Sequence, residues 1–564
     1  MGRAEFGSPQ TPRSLSMAST PRTSDNSKLQ RGQACFSCRR RKRKCDGNLP
    51  CSQCTRLDME DDCEYIDGGK RAISHILEED IFRLQSRIHD LENPQRHRLG
   101  RDPSIQQQHH SSAPPSRSST PRPTQPPRAA SEPSGEMIHQ LIDNFLPYSS
   151  EFGFFLSGPR FRQSALLALP IGHPSRPSPA LLSAVYLWGL RLSNQPLLFA
   201  QEPTFLARAV NLTSTGLSDT HPQRVMHTLQ AHVLLAYFFF ASGRALEGKY
   251  HTAAAISLSL SSSLHLIRSE SNLPAGTLPP PIDIIEEGER IHAWWTVMIL
   301  DKCWAAALGE EPGFANRENL DLVDTPWPLE IDDYPRGHLN PAARFSQTMQ
   351  KFANGTPTSD TGMSTLAMIA KASFLWQRAD ALARAWKPNM SPEQASAVRR
   401  RFARLDTLID DFRDALVPPN RISHPTPTMT RALVVSHSIA HAAALRIHGI
   451  FAHTDIVAKR KRLAAARSVL GIIAAVSLRH FQYINPIMGT VWVGACGVFL
   501  DEIAALRARR LGNLGEEEIN LRAFFSRAGA AIAAFEVTCP VMQSQISPMI
   551  ESCNRLGINI RATV

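Results

Sequence analysis

The stretch CFSCRRRKRKCDGNLPCSQCTRLDMEDDC, residues 35–63, contains six of the ten cysteines in a chain of 564 residues. The gaps between successive cysteines are two, six, five, two and eight residues, so each Cys-x-x-Cys pair is followed by a lone cysteine. Two thiolates on one turn can share a tetrahedral metal ion, and an all-sulfur ligand set favours zinc or an iron–sulfur cluster. We therefore expect the stretch to fold around metal, with the ligands Cys35, Cys38, Cys45, Cys51, Cys54 and Cys63.

Counting ligands sharpens this expectation. Two tetrahedral zinc ions need eight coordination positions, and six thiolates supply eight only if two of them bridge both metals. The first cysteine of each pair is the symmetric choice for a bridge, which selects Cys35 and Cys51. A disulfide knot is the alternative for so many cysteines, but it needs an oxidising compartment, and the N-terminal residues show no apolar secretory segment.

Charge divides the cysteine stretch into two halves. Six consecutive cations lie between the second and third cysteines, namely Arg39, Arg40, Arg41, Lys42, Arg43 and Lys44. The second half is acidic, with Asp58, Glu60, Asp61 and Asp62. Because a basic face attracts a phosphate backbone, this run favours DNA over metal buffering, which needs no such face. The whole chain is also basic, at a formal net charge of +11, and the cationic run is suited to a nuclear import signal.

The spacing, the basic run and Pro50 before the fourth cysteine resemble the fungal binuclear zinc cluster, or Zn(2)-Cys(6), family of transcription factors. The resemblance implies two zinc ions per chain, a nuclear protein that regulates RNA polymerase II transcription, and a short first helix that reads a CGG triplet in double-stranded DNA. By position, it implies base contacts from Arg41 and Lys42 and phosphate contacts from Arg39 and Lys44. Arg41 stands where some members have lysine, although arginine can donate to guanine in bidentate fashion.

A short heptad pattern follows the cysteines, formed by Leu77, Ile81, Leu84, Ile88 and Leu91. Isoleucine at a with leucine at d favours a parallel two-stranded coiled coil. We therefore expect a homodimer, whose linker of residues 67–76 sets the spacing of paired half-sites. The pattern is short, and the alternative is one amphipathic helix packed against the rest of the protein.

Composition predicts six segments. Residues 1–30 and 94–135 are rich in Ser, Pro and Arg and are expected to be disordered. They flank the cysteine module of residues 31–66, the linker of 67–76 and the coiled coil of 77–93. Residues 136–564 have globular composition with apolar residues at helical spacing. The predicted fold class is mainly α: a two-zinc module, a short coiled coil, a disordered linker and a large all-helical domain.

Helices are expected from Glu286 to Ala307 and from Gln223 to Ala241, with others near 391–416, 430–452, 456–481, 487–509 and 518–536. Ser391 followed by Pro392 is typical of a helix start. No stretch reaches the roughly 18 to 20 apolar residues of a membrane helix, so no membrane partner is expected. Trp294, Trp295 and Trp304 are interpreted as core residues, as are the four remaining cysteines.

No phosphate loop, zinc-protease motif or nucleophile elbow occurs in this region, so we do not expect an enzyme. Residues 229–268, 286–312 and 321–328 resemble the middle homology domain of the zinc cluster regulators. That resemblance implies an all-helical regulatory domain that is often inhibitory and sometimes senses a metabolite, acting with co-regulators or transcription machinery. The competing hypothesis is an enzyme or metabolite-binding protein that uses the zinc module for assembly. A second basic run, Lys459 to Arg462, suits either a solvated helix start or a second import signal.

Overall fold

The computed structural model describes residues 34–48, 50–57, 63 and much of 132–558. The gaps within the last range are 194, 271–277, 315–322, 357, 359, 361, 419–425, 476–480, 510–515, 534 and 536–538. The chain divides into two compact units, Met1–Pro123 and Thr124–Val564. The predicted coiled coil of residues 77–93, the linker before it and the two segments expected to be disordered lie outside the described residues, apart from 132–135.

The first unit contains two short helices in its described part, α1 (Phe36–Arg40) and α2 (Ser52–Thr55). Each helix begins directly after the first cysteine of a Cys-x-x-Cys pair, so Cys35 and Cys51 are the N-cap residues. The buried hydrophobic side chains described in this unit are all cysteines. The unit therefore has no aliphatic core among its described residues that would hold these helices together.

The second unit is helical, and the expected mainly α fold class is confirmed. Its described helices are α3 (Gly135–Phe145), α4 (Gly158–Ala165), α5 (Pro179–Arg191), α6 (Pro196–Phe199), α7 (Glu202–Thr215), α8 (Arg224–Ala241), α9 (Ala245–Ser261), α10 (Ile284–Leu308), α11 (Thr348–Ala353), α12 (Thr365–Ala385), α13 (Pro392–Ala415), α14 (Pro427–Gly449), α15 (Ile456–Ala475), α16 (Met488–Arg509), α17 (Glu516–Ala533) and α18 (Pro540–Arg555). Short 3₁₀ turns occur at Leu146–Phe152, Gly216–Ser218, Leu264–Leu266 and Ile331–Asp333. Among the described residues, β pairing is limited to one bridge between Ser269 and Phe345.

Side-chain caps explain where several helices begin. Ser391 accepts from the Gln394 N–H, and the Gln394 side chain reaches back to the Ser391 N–H, which completes a capping box at the predicted start of α13. Helix α10 begins two residues before its predicted start because Asp283 accepts from the Glu286 N–H at 2.9 Å. It ends at Leu308, and the next residue, Gly309, has a φ of 67°, the left-handed conformation that glycine adopts without strain.

The centre of the core is formed by helices that are buried on all sides. Every residue of α5 from Ala180 to Leu190 is buried, and α8 and α10 are buried over most of their length. At the crossing of α3 and α5, a Cβ at Gly189 would lie 2.0 Å from the Leu141 carbonyl oxygen, so only glycine allows this approach. Trp294 and Trp295 are fully buried and Trp304 nearly so, as the core interpretation expected.

The sequence predicted no helix apolar and long enough to cross a membrane, but α16 meets that description. Residues Met488–Ala508 are long and apolar enough to cross a membrane, by length and composition alone. That test also selects the core helices of soluble proteins. In this helix Trp492, Cys496, Phe499 and Ile503 are fully buried, and the helix packs against α14, α15, α17 and α18. The composition of α16 is therefore weak evidence for a membrane span.

Candidate metal centre and nucleic-acid interface

The cysteine sulfurs of the first unit form two sets of four. Cys35, Cys51, Cys54 and Cys63 make one set, and Cys35, Cys38, Cys45 and Cys51 make the other, with all sulfurs of a set within 4.8 Å of one another. Both sets contain Cys35 and Cys51. The structure thus brings all six predicted ligands together, and the two shared residues are those that ligand counting selects as bridges.

The distances between sulfurs fit tetrahedral zinc. A zinc–sulfur bond of about 2.3 Å places the sulfurs of a tetrahedron about 3.8 Å apart. The Cys35 Sγ lies 3.7 Å from the Cys51 Sγ and 3.8 Å from the Cys54 Sγ, and the Cys38 Sγ lies 3.5 Å from the Cys51 Sγ. The six-cysteine cluster is therefore consistent with two zinc ions, and no disulfide links any of these cysteines.

Backbone N–H groups also point at the sulfurs. The Cys38 N–H donates to the Cys35 Sγ at 3.4 Å across the first turn of α1, and the Cys51 N–H donates to the Cys63 Sγ at 3.0 Å. Hydrogen bonds of this kind stabilise negative charge on sulfur, which metal ligands must carry. The second contact also fixes Cys63 beside α2, although eight residues separate it from Cys54 in the sequence.

Burial and hydrogen bonds shift the pKa values of these thiols. Burial raises the pKa of Cys35 and of Cys63, and it raises the pKa of Cys38 to about 12. Burial also acts to raise the pKa of Cys51, but hydrogen bonds from the Cys54 backbone and from neighbouring thiols outweigh it and lower the pKa to about 6. Closely packed thiols cannot all ionise without a cation between them, so the arrangement is consistent with a metal site.

Asp46 holds the segment between the two cysteine pairs. Its carboxylate accepts from the Ser52 N–H at 3.1 Å and from the Asn48 backbone and side chain. The hydrogen bonds with Ser52 lower the pKa of Asp46. A carboxylate at the first N–H group of α2 caps that helix from outside it. Sequence reasoning did not select Asp46, although its position directly after Cys45 was visible.

The end of α1 places the cationic run. The Arg43 N–H donates to the Cys38 carbonyl at 2.9 Å and the Lys42 N–H to the Arg39 carbonyl at 3.2 Å, which is a Schellman motif. The left-handed position of this motif is occupied by Lys42, with a φ of 53°, rather than by glycine. A lysine there costs roughly 1 kcal/mol relative to glycine. Nothing in the cysteine spacing predicted this conformation.

The cationic side chains surround the C-terminal end of α1. Arg39, Arg41, Lys42, Arg43 and Lys44 are exposed, and the side chain of Arg40 lies outside the described set. Cations are favoured at this end of a helix because it carries the negative end of the helix dipole. The acidic residues Asp58, Glu60, Asp61 and Asp62, predicted to form the opposite face, also lie outside the described residues.

The second basic run is part of a helix and is paired with acids. Lys459 contacts Glu502 at 2.7 Å, and Lys461 contacts Asp406 at 2.8 Å and Asp410 at 3.2 Å. These contacts join α15 to α13 and α16. The run therefore has a structural role, which favours the helix-start interpretation over an import signal.

Each of the two units contains a region that matches a known protein family. Residues 33–72 match the model of the fungal Zn(2)-Cys(6) binuclear cluster domain, and residues 172–354 match the fungal specific transcription factor domain. Over 73 residues the chain is 37% identical to Transcription factor ROB1 of Candida albicans. That match covers 13% of this chain and 7% of the relative, so it compares only a small part of either protein.

The chain therefore carries the zinc cluster domain and the fungal-specific domain of the Zn(2)-Cys(6) transcription factors. The model that matches residues 172–354 describes a transcription factor domain rather than an enzyme. The family resemblance expected from the sequence is confirmed, and so is the cofactor expected for the cysteine cluster.

Proposed function

We propose that this protein is a zinc-dependent, sequence-specific DNA-binding regulator of RNA polymerase II transcription that acts in the nucleus. The observation that carries the proposal is the exposed cationic end of α1, held next to two sulfur sets that share Cys35 and Cys51. A metal centre used only for assembly has no need of consecutive exposed cations beside it. Double-stranded DNA is the polyanion that such a surface fits.

In this proposal the six cysteines of the module bind two zinc ions, with Cys35 and Cys51 bridging them. The ions supply the folding energy that the module lacks, because its described core consists of cysteines. Helix α1 positions the cations relative to the metal site. Its N-cap residue is Cys35, which belongs to both sulfur sets, and its last residue is Arg40. We retain residues 31–66 as the limits of this module and 136–564 as those of the regulatory domain.

Arg41 and Lys42 are proposed to contact bases of a CGG half-site, while Arg39 and Lys44 contact phosphates, and Arg40 and Arg43 complete the cationic surface. Arg41 is the C-cap residue of α1 and Lys42 directly follows it, so both side chains leave from the tip of the helix. A helix tip can enter the major groove, where guanine offers O6 and N7 to an arginine or lysine. The strained backbone at Lys42 supports a functional reason for its side chain.

The zinc-loaded full-length protein tests base recognition in a fluorescence anisotropy titration. A duplex with paired CGG triplets and a scrambled duplex of the same composition are compared at physiological salt. We expect Arg41→Ala to weaken binding to the CGG duplex by about 1 to 3 kcal/mol and to have a smaller effect on the scrambled duplex. Arg56→Ala, which removes an exposed cation elsewhere in the module, is the matched control. Equal affinity of the unmodified protein for both duplexes would overturn sequence-specific recognition.

A homodimer on paired half-sites is the proposed form, based on Leu77, Ile81, Leu84, Ile88 and Leu91, which lie outside the described residues. A dimer doubles the number of phosphate contacts of a small module. Ile88→Asp introduces a charge at an a position and is expected to give a monomer in sedimentation velocity, whereas Ser86→Asp at an f position leaves the dimer intact. A dimer that survives Ile88→Asp would place the contact elsewhere.

A further inference from the structure

The helical unit contains a cleft that the DNA-binding proposal does not use. It has a volume of about 260 Å³ and lies between the segment 149–158 and helices α10, α12 and α14. We call it the central cleft. A cavity of roughly 150 Å³ accommodates benzene, so the central cleft has room for roughly ten non-hydrogen atoms. Its size is slightly below the range of roughly 300 to 1,000 Å³ seen for pockets that hold drug-sized ligands.

Two polar groups on one face of α10 line the cleft without using all their hydrogen-bonding capacity. His292 Nε2 lies 2.8 Å from the Leu329 carbonyl oxygen and must donate to it, so the neutral ring presents Nδ1 as an acceptor. Burial lowers the pKa of His292 to about 4, which keeps the ring neutral. One turn further on, Thr296 is only 4% exposed, and its hydroxyl makes no hydrogen bond to a residue that the structure describes.

The missing bond of Thr296 is informative because threonine hydroxyls inside helices commonly donate to the carbonyl four residues earlier. Thr252 does this in α9, donating to the Gly248 carbonyl at 2.8 Å. Since the Thr296 hydroxyl borders the cleft, a molecule bound there is able to supply the missing partner.

The remaining surface of the cleft is largely apolar. Ile299 continues the α10 face one turn beyond Thr296, and Phe155, Leu366, Ile369 and Val435 line the other sides. Apolar walls with a few converging polar groups are the usual composition of a small-molecule site. The occupant is therefore mostly apolar, with a polar group directed at His292 and Thr296.

Charge in the cleft excludes an acidic occupant. Among the described lining residues there is no lysine or arginine, and the acids are Glu151 and Glu330. Arg431 pairs with Glu151, with its Nε 2.9 Å from Oε1, and the Asn485 N–H donates to the other oxygen at 3.0 Å. Glu330 accepts from the Thr365 N–H at 2.6 Å. An anion would meet carboxylates here with no cation directed toward it.

We propose that the central cleft binds a small, uncharged and mostly apolar molecule whose hydroxyl group donates to His292 and accepts from Thr296. The cleft joins helix α10, inside the region that matches the fungal-specific domain, to α12 and α14, which lie outside that region. A bound molecule thus contacts three helices that are distant in the sequence. Its binding stabilises their packing.

The probe for this site is 2-naphthol, compared with 2-naphthoate, in which a carboxylate replaces the hydroxyl. Isothermal titration calorimetry uses the zinc-loaded full-length protein. We expect 2-naphthol to bind with a dissociation constant of about 10 to 100 micromolar, as its size allows, and 2-naphthoate to bind at least tenfold more weakly. No heat of binding up to the solubility limit of 2-naphthol, or equal binding of the two probes, would overturn the proposal.

Matched variants locate the binding. Thr296→Val keeps the shape of the side chain and removes the hydroxyl, and we expect it to weaken 2-naphthol binding about fivefold to tenfold. Thr228→Val makes the same change at a buried threonine on α8 that also has no hydrogen-bond partner but does not line the cleft. It should leave binding unchanged. Equal losses in both variants, or none in Thr296→Val, would mean that the probe binds elsewhere. No DNA is present, so this result and the DNA-binding test stand or fall separately.

Discussion

In the cysteine module the buried hydrophobic side chains that the structure describes are Cys35, Cys38, Cys51, Cys54 and Cys63. In the helical unit one continuous core extends from Ile138 to Ile558 and includes tryptophans, phenylalanines and many aliphatic side chains. The module thus depends on ligand bonds that form only with metal, whereas the helical unit depends on the removal of apolar surface from water. The two units should therefore respond differently to chelators, substitutions and pH.

The largest expected effect is on the module. Cys38→Ala removes one ligand from the second sulfur set and should abolish its folding, because structural zinc supplies roughly 10 kcal/mol or more. Far-ultraviolet circular dichroism of the helical unit should hardly change, since Cys38 is not part of its core. Zinc content by mass spectrometry and loss of DNA binding measure the effect. A variant that retains both zinc ions would contradict the assignment of Cys38 as a ligand.

A smaller but still large effect is expected from the buried ion pair of the helical unit. Glu151 and Arg431 are each 4% exposed, and Arg431 also donates to the Pro147 carbonyl at 2.6 Å. Arg431→Met leaves the Glu151 carboxylate without its cation and should cost about 3 to 5 kcal/mol in urea unfolding. The double variant Glu151→Gln with Arg431→Met should recover part of this loss. If the single variant unfolds at the same urea concentration as the unmodified protein, the pair does not stabilise the unit.

Acid should weaken the helical unit. Burial lowers the pKa of His227 and His232 to about 3 and that of His251 and His292 to about 4. As pH falls below the ordinary value of about 6.5, the unfolded chain binds protons before the folded chain does, so stability is lost. The free energy of unfolding should fall by up to about 1.4 kcal/mol per pH unit for each such histidine. Urea titrations at pH 6.5 and 5.0 measure the slope. His232→Gln should reduce it by about one proton, and an unchanged slope would mean that His232 is protonated in the folded state.

The smallest effect concerns the strained residue at the tip of α1. Lys42→Gly relieves the left-handed backbone and should strengthen the folded module by roughly 1 kcal/mol, seen as slower zinc loss to a chelator. The same variant should bind CGG-containing DNA more weakly because the side chain is gone. The matched control is Arg43→Gly at the next residue, where the positive-φ conformation is absent and no strain is relieved. Faster zinc loss from Lys42→Gly would refute the argument from strain.

The sequence predicted what depends on local pattern. Cysteine spacing identified the six cysteines that make up the two sulfur sets, and Ser391 followed by Pro392 identified the start of α13. Each feature is encoded in one continuous stretch of sequence, residues 35–63 for the cysteines and two adjacent residues for the helix start. The bridging role of Cys35 and Cys51 followed from counting ligands, and the geometry of the two sets agrees with it.

Other features escaped prediction because they depend on contacts between distant residues. The central cleft brings Phe155, Thr296 and Val435 together from three separate parts of the chain, and no local pattern marks them as neighbours. The conformation of Lys42 was missed because left-handed residues are usually glycine or asparagine. Helix α16 is apolar because it is buried among four other helices. Composition alone does not reveal that burial.

The overlap of the two sulfur sets has a consequence for how the gene tolerates mutation. Four of the cysteine codons specify a residue in one set, whereas those for Cys35 and Cys51 specify a residue in both. A missense change at a shared position therefore damages both metal sites in one step, and no second-site cysteine can repair the two together. We expect a saturation mutagenesis survey to rank these two codons as the least tolerant in the module.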